Sequence, residues 1–120
     1  MLSKLNRIKK KKDFEIIFKK GKSFKNKLFI LRFLKNNFNQ SRFGFVVSQK
    51  VSKKAVIRNK IRRRLAEIIR ENFKDIYSSE NNFDLVFISL PETEKKEFLE
   101  IKESVEDLLI KAKIITKLKG

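Results

Sequence analysis

One segment of the chain concentrates the side chains that could act on a ligand. From Lys53 to Arg64 the sequence reads KKAVIRNKIRRR, which holds seven cations and no acid. The planar guanidinium group grips phosphate through two hydrogen bonds, and an asparagine amide offers a donor and an acceptor to a base edge or a sugar. The pattern predicts a surface that binds a phosphate-rich polyanion, with a merely solvated helix face as the alternative. In a helix it forms three rows at i, i+4 spacing, made by Arg58 with Arg62, Asn59 with Arg63, and Lys60 with Arg64.

The charge of the whole sequence also indicates a polyanionic partner. The 120 residues include 31 Lys or Arg and 14 Asp or Glu, for a formal charge of +17. Residues 1–66 hold 22 of the cations and only two acids, Asp13 and Glu15, so this segment carries +20 and the remainder −3. A protein that is basic only for solubility usually intersperses both signs. The uneven distribution favours nucleic acid, although charge alone does not separate RNA from DNA.

The residue types that the sequence lacks disfavour most catalytic chemistry. There is no His and no Cys, which removes the commonest general base, the thiol nucleophile and the zinc finger. Carboxylates remain as general bases or metal ligands, and Glu67, Glu71 and Asp84 are the candidates for a self-sufficient metal-dependent nuclease. No acid-rich metal motif surrounds them, so this alternative is disfavoured.

The chain shows no sign of a membrane segment or of a second domain. No apolar run reaches the roughly 18 residues that span a bilayer, and Met1 to Lys12 lacks the pattern of a signal peptide. One Pro, three Gly and no low-complexity linker predict a single domain over residues 1–120. We expect a cytoplasmic protein with no membrane partner.

Hydrophobic periodicity predicts the elements that position these side chains. The order is helix, two or three strands, helix, strand, helix, which makes a sandwich of about four strands with helices packed on the sheet. The first two strands are expected to pair antiparallel with each other. The predicted segments are a helix over residues 13–20 that Asp13 caps and Gly21 ends, strands over 28–35 and 42–48 joined by a turn over 36–41, a helix over 54–73, a strand over 83–89 and a helix over 94–113.

The first predicted helix places Phe14, Ile17 and Phe18 on one face. Phenylalanines beside Lys19 and Lys20 could stack unpaired bases while the lysines hold the backbone. Two phenylalanines at i, i+4 are more often part of a core, and the pattern on its own favours core packing.

Residues 42–64 resemble the signature of the protein subunit of bacterial ribonuclease P. RFGFVVSQK, from Arg42 to Lys50, corresponds to the family's strand and Lys-rich loop, and AVIRNKIRR, from Ala55 to Arg63, to its Ala-Val-x-Arg-Asn-Arg-x-Lys-Arg helix. Lys60 replaces the second Arg of that motif, Arg62 its Lys, and Gln49 a frequent Lys of the loop. The similarity extends over nearly the whole chain, including the Asp13-Phe14 pair.

The resemblance implies both a fold and a division of labour. The fold is a mixed α+β, α-β-β-β-α-β-α sandwich with a left-handed β-α-β crossover, as in the second domain of a small-subunit ribosomal protein. The implied partners are a catalytic RNA with bound Mg²⁺, which removes the 5′ leader of precursor tRNA, and the precursor itself. The protein would be an auxiliary subunit of this endonuclease and not catalytic alone. Its catalytic-RNA contacts would be Lys50, Lys53, Lys54, Arg58, Asn59, Lys60, Arg62 and Arg63.

The resemblance also assigns a leader-binding cleft between the first helix and the sheet. It implies that the phenylalanines of the first helix are partly exposed stacking platforms, which differs from what their pattern favours. Arg32 stands where relatives can have an aromatic residue, and its guanidinium could stack on a base or hold a phosphate. The implied cleft residues are Phe14, Phe18, Ile30 and Arg32.

A ribosomal protein or an RNA chaperone that uses the same basic helix is the remaining alternative.

Overall fold

The computed structural model describes residues 7–38, 40–72 and 82–115. Within them, three helices and a four-stranded sheet follow the order α-β-β-β-α-β-α. A short 3₁₀ helix, Pro91–Lys95, joins the last strand to the last helix. The elements are α1 (Lys11–Lys20), β1 (Lys22–Lys25), β2 (Phe29–Lys35), β3 (Arg42–Val46), α2 (Ala55–Asn72), β4 (Phe83–Ser89) and α3 (Phe98–Lys111).

The strands lie in the order β1-β2-β4-β3. β2 pairs antiparallel with β1 and with β4, and β3 pairs parallel with β4. The prediction that β2 pairs directly with β3 is therefore wrong, because β4 lies between them. α2 is the crossover between the parallel strands β3 and β4; its left hand stays an expectation from the resemblance. On the outer side of β3, Ile8 N donates to Phe43 O at 2.9 Å, so the chain before α1 runs along this edge.

One face of the sheet forms the main core with α2 and α3. Alternating strand residues such as Leu31, Leu85 and Phe87 are fully buried there. α2 buries a stripe at helical spacing that includes Ile61 and Leu65, as the periodicity predicts. Because this stripe faces the sheet, the opposite side of α2 is left to carry the charged residues.

The other face of the sheet is covered by α1. On this face the side chains of β3, β4 and β2 form three rows across the sheet. The first row is Arg42, Asp84 and Leu34, the second is Gly44, Val86 and Arg32, and the third is Val46, Ile88 and Ile30. Ile17 and Val86 are fully buried where the helix crosses the second row. The three residues of the third row are only half-buried.

Several local expectations need correction. Asp13 does not cap α1, which begins two residues earlier with Lys10 as N-cap and no side-chain cap; Asp13 lies in the first turn and pairs with Arg42 instead. The last helix was predicted over residues 94–113 but begins at Phe98, because Pro91–Lys95 form the separate 3₁₀ helix; Phe98, its first residue, is 39% exposed. β1 was not predicted from the residue pattern, since all four of its residues are exposed. Of the predicted elements, Phe73 and Asn39 lie outside the described residues.

Candidate nucleic-acid interface

The side chain of Arg58, in the first turn of α2, reaches back to the loop that precedes the helix. Arg58 Nη1 donates to the carbonyl oxygens of Ser52 and Lys53, both at 3.0 Å. These bonds satisfy two loop carbonyls and draw the guanidinium toward the backbone, so Arg58 is half-buried. Arg58 thus shapes the loop from Lys50 to Lys54 as well as contributing charge.

Arg62 ties the same helix to the end of β3. Its Nη1 donates to Asn59 Oδ1 at 2.7 Å, and its Nη2 donates to the carbonyl oxygen of Val47 at 3.2 Å. The asparagine oxygen therefore has a partner within the protein, while its amide NH₂ donates to no described residue. Asn59 is presented mainly as a donor, which suits acceptor groups of nucleic acid: phosphate oxygens, base carbonyls and ring nitrogens.

A recess of about 530 Å³ lies beside this helix, lined by Arg7, Val56, Asn59, Arg62 and Arg63. Arg7 comes from the chain beside β3, and its guanidinium carbon lies 4.9 Å from the ring centroid of Phe45. Burial and the neighbouring charge of Arg70 lower the pKa of Arg7. Val56 is 74% exposed in the middle of these cations. Sequence reasoning missed Arg7 and Val56 as part of the surface; the one signal for Val56 was an apolar residue lying off the buried stripe.

The remaining predicted contacts present open positive charge. All of them are exposed, and within the described ranges no carboxylate oxygen comes within 4.0 Å of their charged groups. Such charges can release counterions from a bound polyanion without first breaking an ion pair. These residues are Lys50, Lys53, Lys54, Lys60 and Arg63.

The second predicted surface is a groove between α1 and the sheet. Phe14 is half-buried against Gly44, and Phe18 is 41% exposed, with 6.3 Å between the two ring centroids. Phe14, Val46 and Ile88 pack against the small core cluster that contains Ile17 and Val86. Ile30 is half-buried and lies opposite Ile88 in the third row of this face. Neither phenylalanine is fully buried, so the core packing that their spacing favoured is wrong for Phe18 and only partly correct for Phe14.

Arg32 lies near this groove, but its guanidinium contacts the backbone of α1. Nη2 donates to the carbonyl oxygen of Phe18, with longer contacts to those of Gly21 at 3.3 Å and Ile17 at 3.5 Å. Its guanidinium carbon lies 5.8 Å from the ring centroid of Phe18. The structure thus brings Arg32 together with Phe18. The guanidinium nitrogen Nη2 is directed at the end of the helix, while the buried Nε has no hydrogen-bond partner among the described residues.

An ion network at the other end of α1 occupies two carboxylates. Arg42 binds Asp84 through two hydrogen bonds of 2.8 and 2.6 Å and reaches Asp13 at 3.2 Å. Hydrogen bonding to Asp84 raises the pKa of Arg42, and its guanidinium carbon lies 4.3 Å from the Phe38 ring centroid. Among the described residues no three acidic side chains gather into a metal-binding group. Asp84 therefore does not suit the role of a metal ligand in a self-sufficient nuclease.

The described helices include none that is long and apolar enough to cross a bilayer.

The family model for ribonuclease P matches residues 2–113 of the chain. The ribonuclease P protein component of Clostridium kluyveri is 43% identical over 106 residues, covering 88% of this chain and 93% of the relative. The structure of the Staphylococcus aureus RNase P protein is similar with a TM-score of 0.82 and 34% identity, covering 92% of this chain and 98% of that one. A second Staphylococcus aureus structure, of a mutant described as defective in mRNA degradation activity, gives a TM-score of 0.80 at 34% identity, with 89% and 87% coverage.

Proposed function

This chain belongs to the ribonuclease P protein family, and from that premise we propose how it serves the enzyme. The α2 surface binds the catalytic RNA, and the groove between α1 and the sheet binds the 5′ leader of precursor tRNA. Endonucleolytic removal of the leader then gives the mature 5′ end. The protein is an auxiliary subunit that holds two RNAs together.

The observation that carries this proposal is the pair of separate surfaces on opposite faces of one sheet. α2 and its loop present cations without nearby carboxylates on the side away from the core, which suits a folded RNA of high charge density. α1 presents two partly exposed phenylalanine rings with lysines beside them, which suits unpaired nucleotides. Two surfaces of different character fit two RNA ligands better than one.

The described residues do not fit a catalytic metal site. Asp13 and Asp84 are held by Arg42, and no other acidic cluster stands near either surface in the described ranges. We assign the Mg²⁺ that phosphodiester hydrolysis requires to the RNA subunit. The contribution of the protein is neutralisation of phosphate charge and positioning of the substrate.

Reconstitution tests the proposal. The purified protein, its cognate RNA and Mg²⁺ should together remove the leader at low salt, and precursor tRNA should bind the assembled enzyme more tightly than mature tRNA. Affinity should fall steeply with salt, as expected when several phosphates are neutralised. Failure of the protein to stimulate the RNA at any Mg²⁺ concentration would contradict the proposal, and equal affinity for both tRNA forms would contradict the leader groove.

A second candidate function, degradation of mRNA, is favoured by one comparison alone. The similar Staphylococcus aureus mutant is described as defective in mRNA degradation activity. The same assay therefore includes an mRNA substrate, with the protein alone and with the RNA subunit. Mg²⁺-dependent cleavage by protein free of the RNA subunit would support the second function and would show that the protein supplies chemistry as well as binding.

A further inference from the structure

The two ends of α1 are each fastened by an arginine from the sheet. We propose that the Asp13–Arg42 ion pair and Arg32 are positioning elements, which fix α1 over the sheet and so set the place of Phe14 and Phe18. This inference rests on the proposed leader-binding function. It assigns Arg32 a role that acts through α1, in place of the direct contact with the leader that the resemblance implies.

At the N-terminal end of α1, the anchor is a charged hydrogen bond. Arg42 is itself fixed by two bonds to Asp84, which is only 6% exposed, and by stacking on Phe38. Asn36 donates to Asp84 Oδ1 at 2.8 Å and completes the network. The remaining Nη1 of Arg42 then reaches Asp13 in the first turn of α1. A guanidinium held on one side by a buried carboxylate offers a rigid partner to the helix.

At the C-terminal end, the anchor is a cationic cap. The last carbonyl groups of a helix lack intrahelical donors and carry partial negative charge. Arg32 places one guanidinium nitrogen among the carbonyls of Ile17, Phe18 and Gly21. Gly21 also approaches the sheet closely, since a Cβ atom there would lie 2.8 Å from Phe33 O. The backbone that carries the Phe18 ring is thus bound directly to β2.

α1 has little intrinsic stability, so these anchors matter to its pose. It has ten residues, no side-chain N-cap and a single fully buried side chain, Ile17. Isolated helices below about 12–15 residues are marginal in water. Lys11 and Lys12 at its start oppose the helix dipole. A short helix with one buried residue can tilt or slide unless its ends are held.

Substitution of Asp13 separates a positioning role from an electrostatic one, because Asp13 is an anion in a strongly basic segment. Asp13→Asn removes a negative charge, so electrostatics alone predicts tighter binding of every RNA. If Asp13 positions α1, the same substitution should instead reduce the preference for precursor over mature tRNA. Glu15→Gln is the matched control, since it removes the neighbouring exposed carboxylate of α1, which makes no ion pair with the described residues.

The experiment uses the reconstituted holoenzyme with Asp13→Asn, Arg32→Gln and Glu15→Gln proteins. It measures the ratio of the precursor and mature tRNA dissociation constants and, on the free proteins, hydrogen exchange of the α1 amides. Asp13→Asn and Arg32→Gln should each lower the precursor preference about fivefold or more, comparable to losing one base stack, and should speed exchange in α1. Glu15→Gln should change neither quantity, while binding of the catalytic RNA should persist in all three.

Three results would overturn the inference. Unchanged α1 exchange in both anchor variants would show that the contacts do not hold the helix. A loss confined to Arg32→Gln, with a smaller salt slope and no change in exchange, would assign Arg32 a direct phosphate contact. Equal behaviour of Asp13→Asn and Glu15→Gln would leave only electrostatics. If the wild-type enzyme shows no precursor preference, the proposed leader groove fails, and the exchange data still decide whether the anchors act on α1.

Discussion

Gly44 in β3 offers a direct test of where the Phe14 ring lies. A Cβ atom added at Gly44 would stand 2.8 Å from Phe14 Cε1 and 3.0 Å from its Cζ. Ordinary contacts begin near 3.4 Å, so the ring must retreat by about 0.6 Å. The atoms that clash lie at the far end of a half-buried side chain and can move outward, away from the core. We therefore expect Gly44→Ala to fold and to displace one wall of the leader groove.

The expected magnitudes follow from that geometry. Overpacking in a core costs about 1–3 kcal/mol, and a ring that can move outward places Gly44→Ala near 1 kcal/mol, or a melting temperature lower by roughly 3–5 °C. A base stack is worth about 1–3 kcal/mol, and partial misplacement of one ring should weaken precursor binding about two- to fivefold. Mature tRNA and the catalytic RNA should bind as before, because α2 lies on the opposite face.

A double-mutant cycle decides whether Phe14 is the cause. Phe14→Ala removes the ring that Gly44→Ala displaces. The methyl group that Gly44→Ala adds should therefore cost much less stability in the Phe14→Ala background than in the wild-type protein. Side chains in contact show coupling energies of about 0.5–3 kcal/mol. Urea denaturation of the four proteins measures this coupling. Additive effects, or a Gly44→Ala protein with unchanged stability and unchanged precursor preference, would refute the placement of Phe14 over β3.

Three further substitutions test the remaining parts of the structure. Arg42→Ala leaves the buried carboxylate of Asp84 without its cationic partner, with the Asn36 amide still bonded to it. It should destabilise the fold by about 3–5 kcal/mol, measured by thermal or urea unfolding, whereas a loss below about 1 kcal/mol would contradict the described network. Arg58→Ala should weaken catalytic-RNA binding by about tenfold, since it removes both a cation and two loop hydrogen bonds. The preference for precursor over mature tRNA should change little, and a loss of that preference equal to the loss of catalytic-RNA affinity would place Arg58 in the leader groove. Asn59→Asp keeps an acceptor for Arg62 but replaces the outward NH₂ by a carboxylate, so RNA affinity should fall about tenfold or more with unfolding free energy unchanged or higher, and undiminished RNA binding would exclude Asn59 as a contact.

The sequence predicts what depends on local periodicity and leaves out what depends on strand order. The stripe of α2 and the run of β4 are confirmed because each is a property of consecutive residues. The pairing of β2 with β3 was wrong because alternation identifies strands without naming their neighbours. β1 was not predicted from the residue pattern because its four residues are all exposed, and an exposed edge strand lacks the alternation of apolar and polar residues that identifies a half-buried strand.

The site shows the same division. The basic surface of α2 could be predicted from spacing, yet the bonds from Arg58 and Arg62 to backbone carbonyls depend on how the preceding loop folds back. Arg32 could not be interpreted from sequence, since its partners are carbonyl oxygens of α1 that only tertiary structure brings over β2. Arg7 lies far from α2 in sequence and joins its surface through the edge of β3.

Because β4 lies between β2 and β3, we expect the sheet to close only after β4 has left the ribosome. A nascent chain that has released β2 and β3 holds two strands with no partner for each other, and neither can complete its pairing before residues 83–89 leave the ribosome. By then residues 1–66, which carry +20, have already been released. Sheets with non-local pairing close slowly, and chains are vulnerable while they remain open. β4 also brings Asp84, the carboxylate that pairs with Arg42 of β3, so closure of the sheet and formation of this ion pair occur together.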